Sequence, residues 1–458
     1  MTYKQAEQYI YSLISRKVTD GKTIPARMTL LLEKLDNPQN DVRIIHVAGT
    51  SGKGSTVTLL ASILTESGYN TGSYTSPHVV DLRERIQINQ ALITKSVFLK
   101  LVERVAEAIK TLNKEEIFPT YFEVLFAISL LYFRDQNVDA AVIETGIGGT
   151  NDATSVITPI LSVITSVGLD HTDKLGNTLS KIAGHKAGII KLEVPVVSGV
   201  IEEEAKVVIN QKAKDERAPI LNIGDEFGYE VVTEALNSKH QILKEEDKKT
   251  DLLRRSSNSV VPLIGFEFWT VLPRPDRSRF EVGMRGSFQA HNGALAIQSA
   301  LLLSKMGFGD ISDSSIQTGL QTARIPGRME FINTTPFTIL DVAHSVPKIK
   351  ALVTSYCDLE IEKATVIFAC GNKTNYKEML CELSTISNNI IITEFETKNG
   401  PQIARHVNTY SVDGEAWAHA ISFEKDPQKA IAKAKVYGAP ILVTGSVFFI
   451  SAIRPLFL

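Results

Sequence analysis

GTSGKGST, residues 49–56, lies between the apolar run Val42–Ala48 and a helical pattern that begins near Gly54. A buried strand, a Gly-rich turn and a helix in that order aim several backbone N–H groups and the positive end of a helix dipole at one point, which makes a cradle for phosphate. Lys53 adds a full positive charge there, and the Ser55 or Thr56 hydroxyl is placed to hold Mg²⁺. Val47 and Ala48 occupy the region of the first glycine, so the match to G-x-x-x-x-G-K-[ST] is imperfect. The alternative is an ordinary strand-to-helix turn that uses glycine for tightness. With strand, Gly-Lys-Gly-Ser and helix in the required order, the expected class is α/β with a mostly parallel sheet.

Outward from the cradle, residues 3–16 and 25–36 read as helices, the second with Met28, Leu31, Leu32 and Leu35 on one face. The helix after the cradle carries Leu59, Leu60, Ile63 and Leu64 and stops at Gly68. YTSPHVVDLRERIQI (74–88) is polar, holds a proline and ends in alternation, as a functional loop entering a strand does. Residues 95–112 and 120–134 are again helical in pattern. AAVIETGIGG (140–149) and ILSVITSVGLDH (160–171) read as buried strands with a polar group just past each end: Glu144 in one, Asp170 and His171 in the other. Ligands of open parallel sheets sit at the carboxyl ends of the strands, so Glu144 and His171 are expected to face the nucleotide. The bland alternatives are a capping carboxylate and a packed histidine.

TLSKIAGHKAGIIK (178–191) reads as a helix in which Lys186 stands among small and apolar neighbours, an unusual place for a solvated lysine. PVVSG (195–199) is a further strand. Residues 229–281 read as irregular, and their charge run KEEDKKTDLLRR as a solvated loop or hairpin. MRGSFQAHNGALAIQSALLL (284–303) is helical in its Ala- and Leu-rich part. IPGRME (325–330) then punctuates the chain, and FTILDVAH, ATVIFACG and APILVTGS restart the strand–helix alternation. A domain boundary is expected near Gly327, with residues 328–458 sufficient for a small α/β domain.

The chain has 458 residues, room for two domains, with 43% hydrophobic and 22% charged residues. Its 49 basic and 51 acidic residues give no charge excess that would argue for nucleic acid or a membrane surface. Neither a signal peptide nor a run of membrane-spanning length is visible, so a cytoplasmic protein is expected. Cys357, Cys370 and Cys381 lack C-x-x-C spacing and read as reduced thiols.

Taken together, LDNPQ, IHVAGTSGKGS, YTSPHVVDLRERI, IETGIGGTNDAT, ITSVGLDHTDKLGNTLSKIA, HKAGIIK, FQAHNGALA, IPGRME, DVAH and VTGS resemble, in this order and nearly end to end, the folylpolyglutamate synthases and dihydrofolate synthases, a branch of the Mur ligase superfamily. The resemblance implies an N-terminal P-loop ATP-binding domain like the Mur central domain (residues 1–327), which also takes the pterin or folate. A smaller Rossmann-like glutamate ligase domain (328–458) follows. It implies an ATP-dependent amide ligase that joins glutamate to a pteroate or folate carboxylate through an acyl-phosphate, with ATP and Mg²⁺ as cofactors. The partners implied are small molecules only, with no nucleic acid and no membrane, and the enzyme is expected to be a monomer. Gly49, Thr50, Ser51, Gly52, Lys53, Gly54 and Ser55 resemble the triphosphate site. Ser76, Glu144 and His171 resemble the Mg²⁺ ligands, and His171 is also counted with Lys53 and Lys186 as catalytic. Lys186 matches a lysine that the family carries as a carbamate. Asn292, Arg328 and Asp341 resemble residues that hold the nucleotide, and His344 and Ser446 resemble glutamate-site residues. Closure of the two domains about a hinge near Gly327 is expected to exclude water from the acyl-phosphate.

The chain departs from the family pattern at Ser51, Thr150 and Asn151, in DVAHSVP where DGAHN or DVAHN followed by Pro is usual, and in GNKTNYKEML (371–380). Two other readings compete: a Mur-type ligase acting on a non-folate acid, and a P-loop scaffold without ligase activity. The second should lack Lys186 or Glu144, and this chain has both.

Overall fold

The computed structural model describes residues 1–14, 16, 19–232, 263–270, 277–332, 334–372, 375–396, 405–411, 414–415 and 417–458. The chain divides into two compact units, one of Met1–Glu230, Glu267–Phe280 and Ala290–Ala323, the other of Val231–Phe266, Glu281–Gln289 and Arg324–Leu458. The charge run at 244–255 lies outside the described residues.

The first unit opens with α1 (Tyr3–Ser12) and α2 (Ile24–Glu33), each shorter than its apolar pattern suggested. Then come β1 (Ile44–Ala48), α3 (Lys53–Glu66), β2 (Thr71–Tyr74), β3 (Ile86–Ile88), β4 (Ala91–Leu92), α4 (Lys95–Lys114), α5 (Tyr121–Asp135), β5 (Ala140–Glu144) and β6 (Leu161–Ile164). They are followed by α6 (Thr172–Leu175), α7 (Leu179–Lys186), β7 (Val196–Ser198), α8 (Glu203–Asp215) and β8 (Ile220–Asn222). Among the described residues these strands make one eight-stranded sheet in the order β4-β3-β2-β5-β1-β6-β7-β8. From β2 to β8 every pairing is parallel, and β3 and β4 add an antiparallel edge. β1, β5 and β6 are buried at every position, which is why their sequences are apolar without alternation apart from the buried His46, Ser162 and Glu144.

The covering helices follow from local chemistry. Thr94 caps α4 by accepting from the Val97 N–H, and Phe98, Leu101, Val102, Val105, Ile109 and Leu112 line its buried face at three- and four-residue steps. Thr120 and Glu123 form a capping box at the start of α5, whose middle is buried all round. Full burial of each such Leu, Ile or Phe contributes about 1.5–3 kcal/mol. α7 ends at Lys186 and passes into a 3₁₀ turn at Ala187–Ile189, whereas the sequence pattern suggested one helix over 178–191.

The stretch read as irregular contains strands: β9 (Phe227–Val231), β10 (Ile264–Thr270) and β11 (Arg277–Val282) form a three-stranded sheet. In β10 the alternation is plain once seen, with Phe266 and Phe268 buried and Glu267 and Trp269 partly exposed. Arg277 reaches Glu230 and Glu267 and stacks over Trp269. Next are α9 (Phe288–Leu303) and α10 (Asp313–Thr322).

The second unit carries β12 (Glu330–Ile332), β13 (Thr338–Leu340), α11 (Val346–Cys357), β14 (Ala364–Phe368), α12 (Tyr376–Ser384), β15 (Ser387–Ile392), β16 (Ile421–Phe423), α13 (Pro427–Val436), β17 (Ile441–Thr444) and α14 (Val447–Ile453). The sheet order is β12-β13-β17-β14-β15-β16, parallel except for the edge strand β12. Its core gathers Ile339, Leu352, Val366, Phe368, Leu380, Ile390 and Leu442. No described helix is long and apolar enough to cross a membrane.

Candidate active site

β1 delivers the chain to the cradle at the centre of the first sheet, where Val47 is level with Glu144 on β5 and Ala48 with Ile164 on β6. A Cβ at Gly49 would collide with the Thr165 hydroxyl, so only glycine lets the turn pass. Gly52 sits at φ 82°, the left-handed region, and α3 starts at the next residue, Lys53. Residues just past β6 hold the turn in place. The Thr165 and Ser166 hydroxyls donate to the Ser51 carbonyl at 2.6 and 3.1 Å, the Ser51 N–H donates to Ser166 Oγ at 3.0 Å, and the Thr50 N–H donates to the Ser166 carbonyl at 2.9 Å. The first N–H groups of α3 have no acceptor within their own helix, and they open onto the same turn.

Three of the expected site residues meet here. The Lys53 ammonium donates to the Gly49 carbonyl at 3.0 Å and lies 4.0 Å from Glu144 Oε1. Glu144, the buried last residue of β5, accepts the Ser76 N–H on Oε2 at 2.8 Å, and this oxygen lies 3.4 Å from where a Cβ of Gly54 would be. The carboxylate therefore stands over the first turn of α3. His171 is elsewhere in character: it is exposed, at φ 50°, and begins the short helix α6, with its N–H on Asp170 Oδ1 at 2.9 Å. Among the described residues no three His, Cys, Asp or Glu side chains form a metal cluster. Mg²⁺ does not require one, because it keeps waters and takes one or two carboxylates together with phosphate oxygens. Glu144 fits such an ion, since it is a buried carboxylate at the edge of the phosphate cradle, with Oε2 on the Ser76 N–H and Oε1 4.0 Å from the Lys53 ammonium.

Lys186 closes α7 and is only 2% exposed. Burial pulls its ammonium down to about 7, the like charge of Lys53 adds to this, and Asp170 opposes it. The turn that carries it is clamped by the loop after β5: the Thr150 N–H and hydroxyl both donate to the His185 carbonyl, at 2.8 and 3.2 Å. Gly149 makes this approach possible, because a Cβ there would lie 2.6 Å from the His185 oxygen. Asn292, on α9, is buried with its side-chain oxygen against Gly52. Its neighbour His291 donates from Nε2 to the Thr165 carbonyl at 3.0 Å, and burial lowers its pKa. Thr165, Ser166 and His291 were not singled out from the sequence; the Thr-Ser pair directly past an apolar strand was the available signal.

In the second unit, Asp341 follows β13 and accepts the Met329 and Ala343 N–H groups at 2.9 and 2.8 Å. Burial raises its pKa, against the pull of Arg328 and of those two amides. The ends of β13 and β17 are joined where the Gly445 N–H donates to the Ala343 carbonyl at 3.0 Å, so His344 and Ser446 each follow directly on this junction. Ser446 is buried and caps α14, its Oγ accepting the Phe448 N–H at 3.2 Å. His344 is exposed; its Nδ1 donates to the Val342 carbonyl at 2.9 Å and its Nε2 accepts from Lys348 Nζ at 3.2 Å. Lys348 was another residue that sequence reading passed over.

Comparison with known proteins finds two family regions in the chain. Residues 47–300 match the Mur ligase middle domain and residues 327–447 the Mur ligase glutamate ligase domain. The dihydrofolate synthase/folylpolyglutamate synthase of Bacillus subtilis is 33% identical over 461 residues, covering 99% of this chain and 98% of that protein. The crystal structure of folylpolyglutamate synthase from Thermotoga maritima superposes with a TM-score of 0.81 at 29% identity, covering 99% of this chain and 96% of the other. An FPGS–AMPPCP–folate complex superposes with a TM-score of 0.79 at 30% identity, with both chains fully covered.

Proposed function

The chain belongs to the folylpolyglutamate synthase/dihydrofolate synthase family of Mur ligases, and from this premise we propose how its residues carry out ATP-dependent addition of L-glutamate to a folate or dihydropteroate carboxylate. A carboxylate is a poor electrophile. Its oxygen attacks the ATP γ-phosphorus in line, the bond to the β-phosphate oxygen breaks, and ADP leaves behind an acyl-phosphate. The glutamate amine then attacks the acyl carbon, phosphate departs, and the amide loses a proton. The observation that carries this reading is the meeting of Lys53, Glu144 and the α3 N-terminus at the ends of β1 and β5.

In this reading residues 49–55 wrap the triphosphate, and Lys53 swings from the Gly49 carbonyl onto the transferring phosphoryl group. Ser76, Glu144 and His171 would hold Mg²⁺, which supplies charge neutralisation between phosphate oxygens. Asn292, Arg328 and Asp341 serve the nucleotide, and His344 and Ser446 serve the amino acid. Residues 1–327 are thereby assigned to ATP and the pterin acid, and 328–458 to glutamate. Lys186 acts as a carbamate. The near balance of 49 basic and 51 acidic residues supports small molecules rather than nucleic acid as partners, the three cysteines, which form no disulfide, fit a reducing cytoplasmic setting, and in this reading the enzyme works as a monomer.

Purified protein supplied with ATP, Mg²⁺ and glutamate is expected to form ADP only when dihydropteroate or a reduced folate is added. Phosphate release recorded for each acid separates dihydrofolate synthesis from polyglutamylation. Stimulation by another carboxylic acid and by none of the pterins would overturn the folate assignment in favour of a different Mur-type ligase.

His344→Ala is expected to raise the glutamate KM by about ten-fold or more, the loss expected for one contact to a charged group, with the ATP KM little changed. The side chain is exposed, so the fold should tolerate the change. An unchanged glutamate KM in both His344→Ala and Ser446→Ala would move the amino-acid site elsewhere.

A further inference from the structure

Three successive carbonyls just past β6 are held by three different parts of the first unit. The Ile164 carbonyl accepts the Gly199 N–H at the end of β7 at 2.8 Å, and the Ser166 carbonyl accepts the Thr50 N–H at 2.9 Å. Between them, the Thr165 carbonyl is met by a side chain: His291 on α9, whose Nε2 lies 3.0 Å away. Burial lowers the pKa of His291, against the pull of that carbonyl and of Glu202, so the ring is neutral and carries one proton. A carbonyl only accepts, which puts that proton on Nε2. Gly199 makes room for the bond, because a Cβ there would lie 2.6 Å from the Thr165 oxygen and 2.7 Å from Nε2. The Tyr229 ring stands edge-on to the imidazole, with centroids 5.7 Å apart.

This bond completes the hold on Thr165. Its N–H donates to the Ala48 carbonyl at 2.8 Å, so the peptide plane on one side of Thr165 is pinned by β1 and the plane on the other side by α9. Fixing both planes fixes the two soft dihedrals of the residue and the direction in which its side chain leaves. The hydroxyl then lies 2.6 Å from the Ser51 carbonyl, inside the cradle turn. In a trans peptide the C=O and the next N–H point opposite ways, so a Ser51 carbonyl drawn to Thr165 turns the Gly52 N–H to the other side.

We propose that His291 is a positioning residue of the phosphate cradle: through Thr165 it sets the peptide between Ser51 and Gly52 so that the Gly52 N–H is offered to the triphosphate. This rests on the reading of residues 49–55 as the triphosphate site. α9 thus addresses the cradle at two successive residues, His291 through Thr165 and Asn292 with its side-chain oxygen against Gly52.

The test measures calorimetric binding of the non-hydrolysable analogue AMPPCP with Mg²⁺, which needs neither acid nor glutamate, to the full-length native protein and to His291→Leu, His291→Gln and His291→Asn. The Leu variant keeps an apolar bulk and removes the donor. A Gln amide reaches about as far as Nε2, whereas an Asn amide reaches only about as far as Nδ1. His291→Leu and His291→Asn are expected to weaken analogue binding about ten-fold, and His291→Gln to stay within about three-fold of native. With Thr165→Val as the background, His291→Leu should add little further loss, since the link to Ser51 is already cut. Native affinity in the Leu variant, equal losses with Gln and Asn, or a His291→Leu loss that is undiminished in the Thr165→Val background would each overturn the assignment. Native protein that fails to bind the analogue would instead overturn the reading of the cradle on which the role depends.

Discussion

Lys53→Ala is expected to lower the rate of ADP formation by about two orders of magnitude or more, corresponding to about 3 kcal/mol of lost charge stabilisation in the phosphoryl-transfer transition state. Lys53 is the first residue of α3, and its ammonium spans the cradle between the Gly49 carbonyl and Glu144. Phosphoryl transfer demands little covalent help from the protein, so a cation fixed at this point carries a large share of the catalysis. The fold should survive, because the turn is held by Thr165 and Ser166 through the Ser51 and Thr50 backbone, and Glu144 keeps the Ser76 N–H. Single-turnover ADP formation with saturating substrates, alongside a thermal melt, separates the two effects. Turnover within a few-fold of the native enzyme, at unchanged stability, would remove Lys53 from the chemistry.

The cradle could be read from the sequence because each of its constraints is local. A glycine is demanded at Gly52, where the backbone turns left-handed, and a helix must start immediately afterwards. The partners that hold this loop could not be read, since the hydroxyls of Thr165 and Ser166 lie 114 and 115 positions away and only the pairing of β1 with β6 brings them near. The same contrast runs through the fold. β1, β5, β6, β14 and β17 are buried at every position and show as mostly apolar runs, whereas β9, β10 and β11 mix Glu, Arg and Trp with their apolar residues. What steadies those three includes a cross-strand charge cluster on Arg277 that no single window of sequence contains.

Residue roles at strand ends divide in a similar way. The polar residue closing an apolar run marked Glu144, the last residue of β5, which the structure sets against Lys53 and the start of α3. The sign is less specific at Ser446, whose hydroxyl oxygen also meets the ordinary need of α14 for an N-cap. Asp341 likewise spends both oxygens on backbone amides, tying the Met329 turn to the end of β13. Lys186 was marked by its small neighbours, and its burial bears this out. The reason those neighbours are small became visible only with the Gly149–Thr150 loop pressed against the His185 carbonyl.

Lys186→Ala is expected to lose about two orders of magnitude in turnover, and a short carboxylic acid added to the assay should restore part of it. As an ammonium, Lys186 would be a charge taken out of water beside a second cation, Lys53, an arrangement whose cost shows in the fall of its pKa to about 7, first through burial and then through Lys53. The neutral amine, which predominates above that pH, can attack CO₂: a C–N bond forms, one proton leaves, and the side chain becomes an anion. Repulsion from Lys53 then turns into attraction. The sign of the pH dependence follows. Protonation as pH falls through about 7 withdraws the amine from this reaction, so activity should decline on the acid side of 7 and recover with added bicarbonate. For the unmodified amine the folded pKa lies below the unfolded one, so the unfolded chain binds more protons between about 7 and 10.5, and folding stability should rise with pH across that window. Carbamylated protein should lack this rise, because its side chain no longer titrates there. Isotope-labelled bicarbonate followed by carbon NMR reports the carbamate directly. Full activity of Lys186→Ala without any added acid, or a labelled sample with no carbamate signal, would leave Lys186 as an unmodified amine.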